Sequence, residues 1–496
     1  MLQRIRNRLT MPNLALMLIG MAALVALGVA SSCHFGIADG LRVSLAYLVA
    51  YLVPLIVLSR ARGSSVAAHA LLLALAIFLG YLCYDRLVFW TNLEDYSLQR
   101  PNLDGDARDY YKAALQYYDG SVDVIEGIFP GFPLIMVGLW KVLGLSVIWP
   151  QALNLLFTLM SVVLTGLTTR RLLAHRVKAS SAVLVFCGMA LMAVQFYFLM
   201  SGIRILKESV TFFSMTLVGY SLSLMDSDVE NRSWMWRNIA LIVLAGVLLA
   251  FVRTTFLYLV MLGVVIMTIP HWRRDWRLSL GLLAVLALLL IVGNYFAAYS
   301  FERHAEIVGG GWNMQRTFSR DSFHKRLMGY YFLFSPAHKL MLLPLTMGIQ
   351  FIEPLPWLDD PYEPALLLTL FDRITWGWYL LGGTVLFYCL FVGWRRGQGM
   401  GVWPLWPIVI YVGMAYVMGG IIARYLLPFK PLMVPIAVFV FCRLHEGRWR
   451  RAFLWYSICF ILLLAVALLT CLELKTGLIS GVFRTTPLLG YLHRII

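Results

Sequence analysis

Charge is scarce in this chain. Of its 496 residues only 13% are charged, against 60% hydrophobic, and the mean hydropathy is +0.78. That shortage excludes a water-soluble globular protein, a coiled coil and a disordered chain, each of which needs far more polar surface. Cysteine is sparse and unpatterned. The seven cysteines lie mostly inside apolar segments with no CxxC and no Cys/His spacing, so they mark neither a disulfide framework nor a zinc site. GxxxxGK[ST], HExxH and GxSxG are all missing, which leaves an ATPase, a zincin and a serine hydrolase without support.

What the chain has in quantity is long apolar runs. A bilayer core needs about 20 apolar residues per helix. Thirteen segments approach this: 12–30, 41–59, 65–84, 149–169, 180–200, 208–225, 238–252, 254–270, 279–298, 374–394, 402–421, 425–442 and 452–471. The expected fold is therefore an all-α polytopic membrane protein with about thirteen transmembrane helices. Arg253 separates the seventh and eighth segments, the shortest of the set.

The net charge of +16 would raise the question of nucleic acid in a soluble protein; here its distribution answers a different question. With the N-terminus inside, as Arg4, Arg6 and Arg8 suggest, the inner segments hold twenty Lys and Arg residues against five acids. Nearly all the excess thus orients the chain and implies no nucleic acid partner. Trp272, Trp276, Trp394 and Trp449 flank the same inner loops, as an interfacial belt does. Two shorter apolar runs, 133–146 and 338–352, are expected to lie along or partly into the outer face, because crossing at the first would put Arg170, Arg171, Arg176 and Lys178 outside. The basic start and Ala30-Ser31-Ser32-Cys33 loosely resemble a cleaved leader, but an uncut first helix fits the charge pattern equally well.

Five regions follow: an N-terminal three-helix segment (1–84), a first outer loop (85–148), a transmembrane core (149–298), a second outer loop (299–373), and C-terminal helices with an outer tail (374–496). Chemistry is expected in the two outer loops, since the inner ones are short and basic. In the first, DGDARDYYKAA places Asp106 and Asp109 three apart at a helix start, hence on one face. They could cap that helix and favour its dipole, or one could serve as a general base for an acceptor hydroxyl. Arg204, Lys207 and Glu208 interrupt apolar sequence at the outer ends of the fifth and sixth helices, where Arg204 and Glu208 could pair as i,i+4 neighbours. Arg253 and Arg424 are single cations at outer helix junctions, and ionisable groups at membrane depth are functional candidates. The second loop is basic, with Arg326 among the arginines suited to bidentate phosphate contact.

These motifs, in this order, resemble the GT-C class of membrane glycosyltransferases, whose members include protein O-mannosyltransferases and the enzymes that add aminoarabinose to lipid A. The likeness is carried by DGDARDYYKAA, then Pro130-Gly131-Phe132-Pro133 leading into LIMVGLWKVLG, then a helix ending in TRRLLAHR. Lys207-Glu208, Glu353-Pro354-Leu355-Pro356-Trp357 and Ala423-Arg424-Tyr425 resemble bacterial members less specifically. The resemblance implies an inverting transfer of a sugar from a polyprenyl-phosphate donor to a glycan, lipid or protein acceptor, on the periplasmic side of a bacterial inner membrane. It implies a catalytic aspartate at Asp106, and no required cofactor. Two departures stand out: the loop follows the third helix instead of the first, and Ala107 replaces the acid that usually follows the aspartate, so Asp104, Asp106 and Asp109 all stay open as the base.

On this reading the donor phosphate would be held by Lys207, Arg204, Arg253, Arg424 and Arg326, with Asp106, Asp109 and Glu208 as the carboxylates of the reaction. A divalent metal on Asp106, Asp109 and Glu208, as in oligosaccharyltransferases, is the alternative to a metal-free site. Membrane lipids are the remaining expected partner. The nearest rival function is an O-antigen or exopolysaccharide polymerase or ligase, which would depend on arginines instead of a first-loop aspartate. A lipid-linked sugar flippase is the rival of another class; it would predict inverted helical repeats, and none is evident.

Overall fold

The computed structural model describes residues 11–60, 65–89, 105–121, 131–195, 205–225, 232–268, 276, 279–294, 335–352, 376–392, 399–418 and 427–476. Among them all regular structure is helical, with no strand. Each of the thirteen apolar segments overlaps a helix within its described residues, and so do the two shorter runs. Three helices are long and apolar enough to cross a membrane: Ala15–Cys33, Ile37–Arg60 and Ile148–Leu173. Others stop short, such as Ser181–Ala193, whose 13 residues reach only about 20 Å at 1.5 Å per residue.

The chain forms two compact units. One comprises Met1–Phe301, Met400–Trp403 and Pro428–Cys442; the other comprises Glu302–Gly399, Pro404–Leu427 and Arg443–Ile496. The first unit begins with α1 (Met11–Phe35), α2 (Ile37–Arg60) and α3 (Ser65–Phe89). Gly36, with φ of 94°, makes the one-residue turn between α1 and α2. The two helices then approach almost backbone to backbone. A Cβ on Gly28 would overlap the Ser44 side chain, and one on Gly40 would overlap that of Ser32. Small residues at such spacing are how helices gain van der Waals contact where lipid removes the hydrophobic driving force.

Then come α4 (Gly105–Tyr118), α5 (Gly131–Leu143), α6 (Ile148–Leu173), α7 (Ser181–Ala193), α8 (Glu208–Met225), α9 (Arg232–Val252), α10 (Thr255–Thr268) and α11 (Ser279–Asn294). Helix α6 is the hub, packing on α2, α3, α5, α7 and α8. Its buried hydroxyls bond back to their own helix, as Thr158 does to the Asn154 carbonyl at 2.8 Å and Thr165 to that of Ser161 at 2.7 Å. Outward faces are apolar instead: Leu41, Leu45, Val49 and Val53 on α2 and Leu288 and Ile291 on α11 are exposed, a surface suited to lipid and costly in water. The last helix of this unit starts with α15 (Lys430–His445).

The second unit holds α12 (Pro336–Ile352), α13 (Trp376–Phe387) continued by a π-helical turn over Tyr388–Val392, α14 (Leu405–Met418) and α16 (Arg450–Thr476). Tyr411 donates to the Met347 carbonyl at 2.7 Å, and Phe387, Phe453 and Tyr456 interlock as an aromatic core.

Candidate functional site

Helix α4 is amphipathic by sequence, and its register decides which of its charges can act. Ala107, Tyr111 and Ala114 are its buried stripe. They seat it on α5, where Tyr111 and Tyr118 meet Trp140 edge to face at 5.0 and 5.8 Å. Trp140 is itself pinned, donating from Nε1 to the Ser146 carbonyl at 2.9 Å. Asp106 precedes Tyr110 by one helical turn, so both positions lie on the flank beside this stripe. Asp109 is on the open side: its side chain is 70% exposed and its nearest cation, Arg108 Nε, is 3.6 Å away and also exposed. Such a surface pair contributes little.

Tyr110 points the way to the rest of the site. Its ring packs edge-on against Phe132 of α5 at 5.8 Å and carries the Lys207 ammonium 5.2 Å from its centroid. Lys207 is 6% exposed and Glu208 2%, at the start of α8. The segment is held there because Asn154 of α6 donates to the Leu206 carbonyl at 3.1 Å, while the Thr211 amide and hydroxyl both donate to the Lys207 carbonyl. A lysine stem can lie along apolar surface while its ammonium rests on a ring face.

Glu208 turns the other way, toward Arg253. Its Oε1 lies 3.6 Å from Arg253 Nη1, with both side chains almost wholly buried. Arg253 occupies the break that the sequence suggested. Helix α9 ends at Val252, the Arg253 carbonyl accepts from the Phe256 amide at 3.0 Å, and the chain reverses, so that Leu257 of α10 returns beside Gly246 of α9. The guanidinium lies 4.9 Å from the Phe256 ring centroid, and Phe256 stacks on Phe429 at 5.5 Å. Phe429 is followed directly by Lys430, 4% exposed, the first residue of α15. One further contact fixes the geometry: a Cβ on Gly131, at the start of α5, would overlap the Phe251 carbonyl at the end of α9.

The described side chains here hold two buried cations, Lys207 and Arg253, and one buried carboxylate, Glu208; Lys430, buried as well, follows Phe429 in sequence. Charges taken out of water interact strongly, and burying them costs several kcal/mol each by continuum reasoning, about as much as close pairing returns. The starts of α8, α10 and α15 meet at this point, and helix N-termini carry partial positive charge.

Of the residues expected from sequence, the structure brings Lys207, Glu208 and Arg253 together, with the helix that carries Asp106 and Asp109 against them. Arg204, Arg326, Arg424 and Asp104 lie outside the described residues, as does the side chain of Asp106. Glu208 engages Arg253, a residue 45 positions away that no sequence pattern joins to it. Among the described residues no group of three or more His, Cys, Asp or Glu side chains is placed to hold a metal ion. Sequence reasoning missed Tyr110, Phe256 and Lys430. Lys430 was detectable, since a lone base between two prolines in an apolar run meets the same test that selected Arg253. Comparison with protein-family models, with curated proteins and with solved structures finds no match.

Proposed function

We propose that this chain is a GT-C type glycosyltransferase with about thirteen spans and its N-terminus inside, in a bacterial inner membrane. It moves a sugar from a polyprenyl-phosphate donor to an acceptor hydroxyl on the outer side. The observation that carries the reading is the seat of Lys207 on Tyr110, which sets a group of buried cations against the helix of Asp106. Transfer by inversion needs two things near each other, a base for the acceptor hydroxyl and positive charge for the departing phosphate. Asp106 supplies the first, one turn from Tyr110; Lys207 and Arg253 supply the second. In the step itself the acceptor oxygen forms a bond to the anomeric carbon as its proton passes to Asp106. The electron pair of the broken bond goes to the phosphate oxygen. Glu208 positions Arg253, and the apolar outer faces of the helices take the isoprenoid chain.

The test separates the two carboxylates of α4. Asp106→Asn should reduce sugar transfer by at least about a hundredfold, the scale of general-base catalysis, with donor binding retained. Asp109→Asn, changing an exposed side chain, should keep transfer within about twofold of wild type, as surface substitutions do. Full activity in the Asp106 variant of the purified protein would overturn the reading.

A further inference from the structure

We infer that Arg171, at the end of α6 remote from the proposed catalytic site, holds the phosphate of an anionic phospholipid. This second site is independent of sugar transfer. Helix α6 is long and apolar enough to cross a membrane, and its last turn carries Arg170 and Arg171. Arg171 lies about 26 Å along that helix from Asn154, which supports the start of α8, so it marks the opposite edge of the span. Helix α8 packs on both α6 and α9. Tyr220 of α8 and Arg237 of α9 are within electrostatic reach of the Arg171 guanidinium, as is Arg170.

Cations in the last turn of a helix favour its dipole, and that alone would account for two arginines at this end. It does not account for how Arg171 is held. Its Nε is buried without a hydrogen bond, and its guanidinium makes no ion pair among the described residues. Arg170 and Arg237, which both act on it, carry its own sign. A buried donor without an acceptor is costly, more so on a charged group, and a neighbouring like charge adds to that cost. An anion offsets both. A guanidinium presents its N–H groups as a planar fork that matches two phosphate oxygens.

A lipid, in place of free phosphate, fits the surface beside these arginines. Trp236 precedes Arg237 and is exposed, and Ala240, Leu244 and Phe251 continue an exposed apolar stripe along α9 at helical spacing. An acyl chain can lie on that stripe while its headgroup stays at the arginines, and a tryptophan suits the interfacial depth.

Full-length protein in neutral detergent is titrated with phosphatidylglycerol, phosphatidylcholine and inorganic phosphate, and read by native mass spectrometry and thermal unfolding. Wild type should bind phosphatidylglycerol about tenfold more tightly than phosphatidylcholine, with a rise in unfolding midpoint, as a ligand of the folded state gives. Arg171→Gln should abolish that preference, a loss of about tenfold, the scale of one hydrogen bond to a charged group. Without added lipid the same variant should unfold at or above the wild-type midpoint, because a cation facing its own sign has gone. Arg237→Gln, at an exposed position, should lose about threefold in phosphatidylglycerol affinity. A preference kept in Arg171→Gln, or absent in wild type, would overturn the assignment. So would a lowered lipid-free midpoint in Arg171→Gln, which would make the residue a structural cation. Inorganic phosphate bound as tightly as phosphatidylglycerol would overturn the lipid as occupant.

Discussion

Glu208 and Arg253 are 3% and 8% exposed as side chains and separated by 3.6 Å, close enough to couple yet beyond a good hydrogen bond. Their value lies in each other's presence. Glu208→Gln removes the negative member and leaves the guanidinium buried, which costs up to about 3–5 kcal/mol when a buried pair is broken. Glu208→Gln combined with Arg253→Met should recover part of that loss, because an uncharged pair of similar volume is tolerated in an apolar setting. Thermal unfolding of the purified variants measures this, and a double variant less stable than Glu208→Gln alone would show that the two side chains are not coupled. Legibility at this scale was uneven for a physical reason. Lys207, Glu208 and Arg253 could be picked out because a charge in apolar sequence is expensive and therefore conspicuous. Tyr110 and Phe256 could not, since aromatics make up 14% of the chain and a ring beneath a cation looks like any other ring. That Glu208 lies beside Arg253 depends on where α9 turns, which local spacing does not encode.

Helices were the most readable level. Apolar runs of this length have nowhere to satisfy their backbone groups in lipid except within a helix, and the described part of each run is largely helical, though only three helices are long and apolar enough to cross a membrane. Their ends were less readable: the run expected over 180–200 is helical over Ser181–Ala193 and leaves its regular path at Val194. Closeness of approach was not foreseen either, although its cause is visible in the residues. Helices α1 and α2 interlock through Gly28 with Ser44 and Gly40 with Ser32, so bulk added at either glycine meets a side chain and a backbone carbonyl together. Gly28→Val or Gly40→Val should separate the pair and destabilise the protein by about 1–3 kcal/mol, the usual cost of overpacking. Ser44→Ala, which removes the nearest atom, should not. Unfolding midpoints in detergent check both, and a fully stable Gly40→Val would rule out the close packing.

For the molecule as a whole, orientation is the property most open to a direct test. The proposed topology puts α4 outside and the loop after α6 inside, with the basic residues of that loop retained at the inner surface. Lys112 on α4 and Lys178 after α6 are both exposed. In a cysteine-free background Lys112→Cys should react with an impermeant maleimide on intact spheroplasts, and Lys178→Cys only after permeabilisation. The reverse pattern would move the acidic loop to the inner side and with it the proposed acceptor. On that topology the overall charge of +16 bears on orientation far more than on the proposed chemistry, which draws on a handful of buried ions.

The contact between Gly131 and the Phe251 carbonyl links two parts of the proposed reaction that share no direct bond. Helix α5 carries α4, and so the proposed base; α9 ends at Val252, directly before Arg253, the proposed phosphate cation. On the proposed reading, the gap between base and phosphate would be gauged by a methyl group that is absent, through the choice of the smallest residue at Gly131.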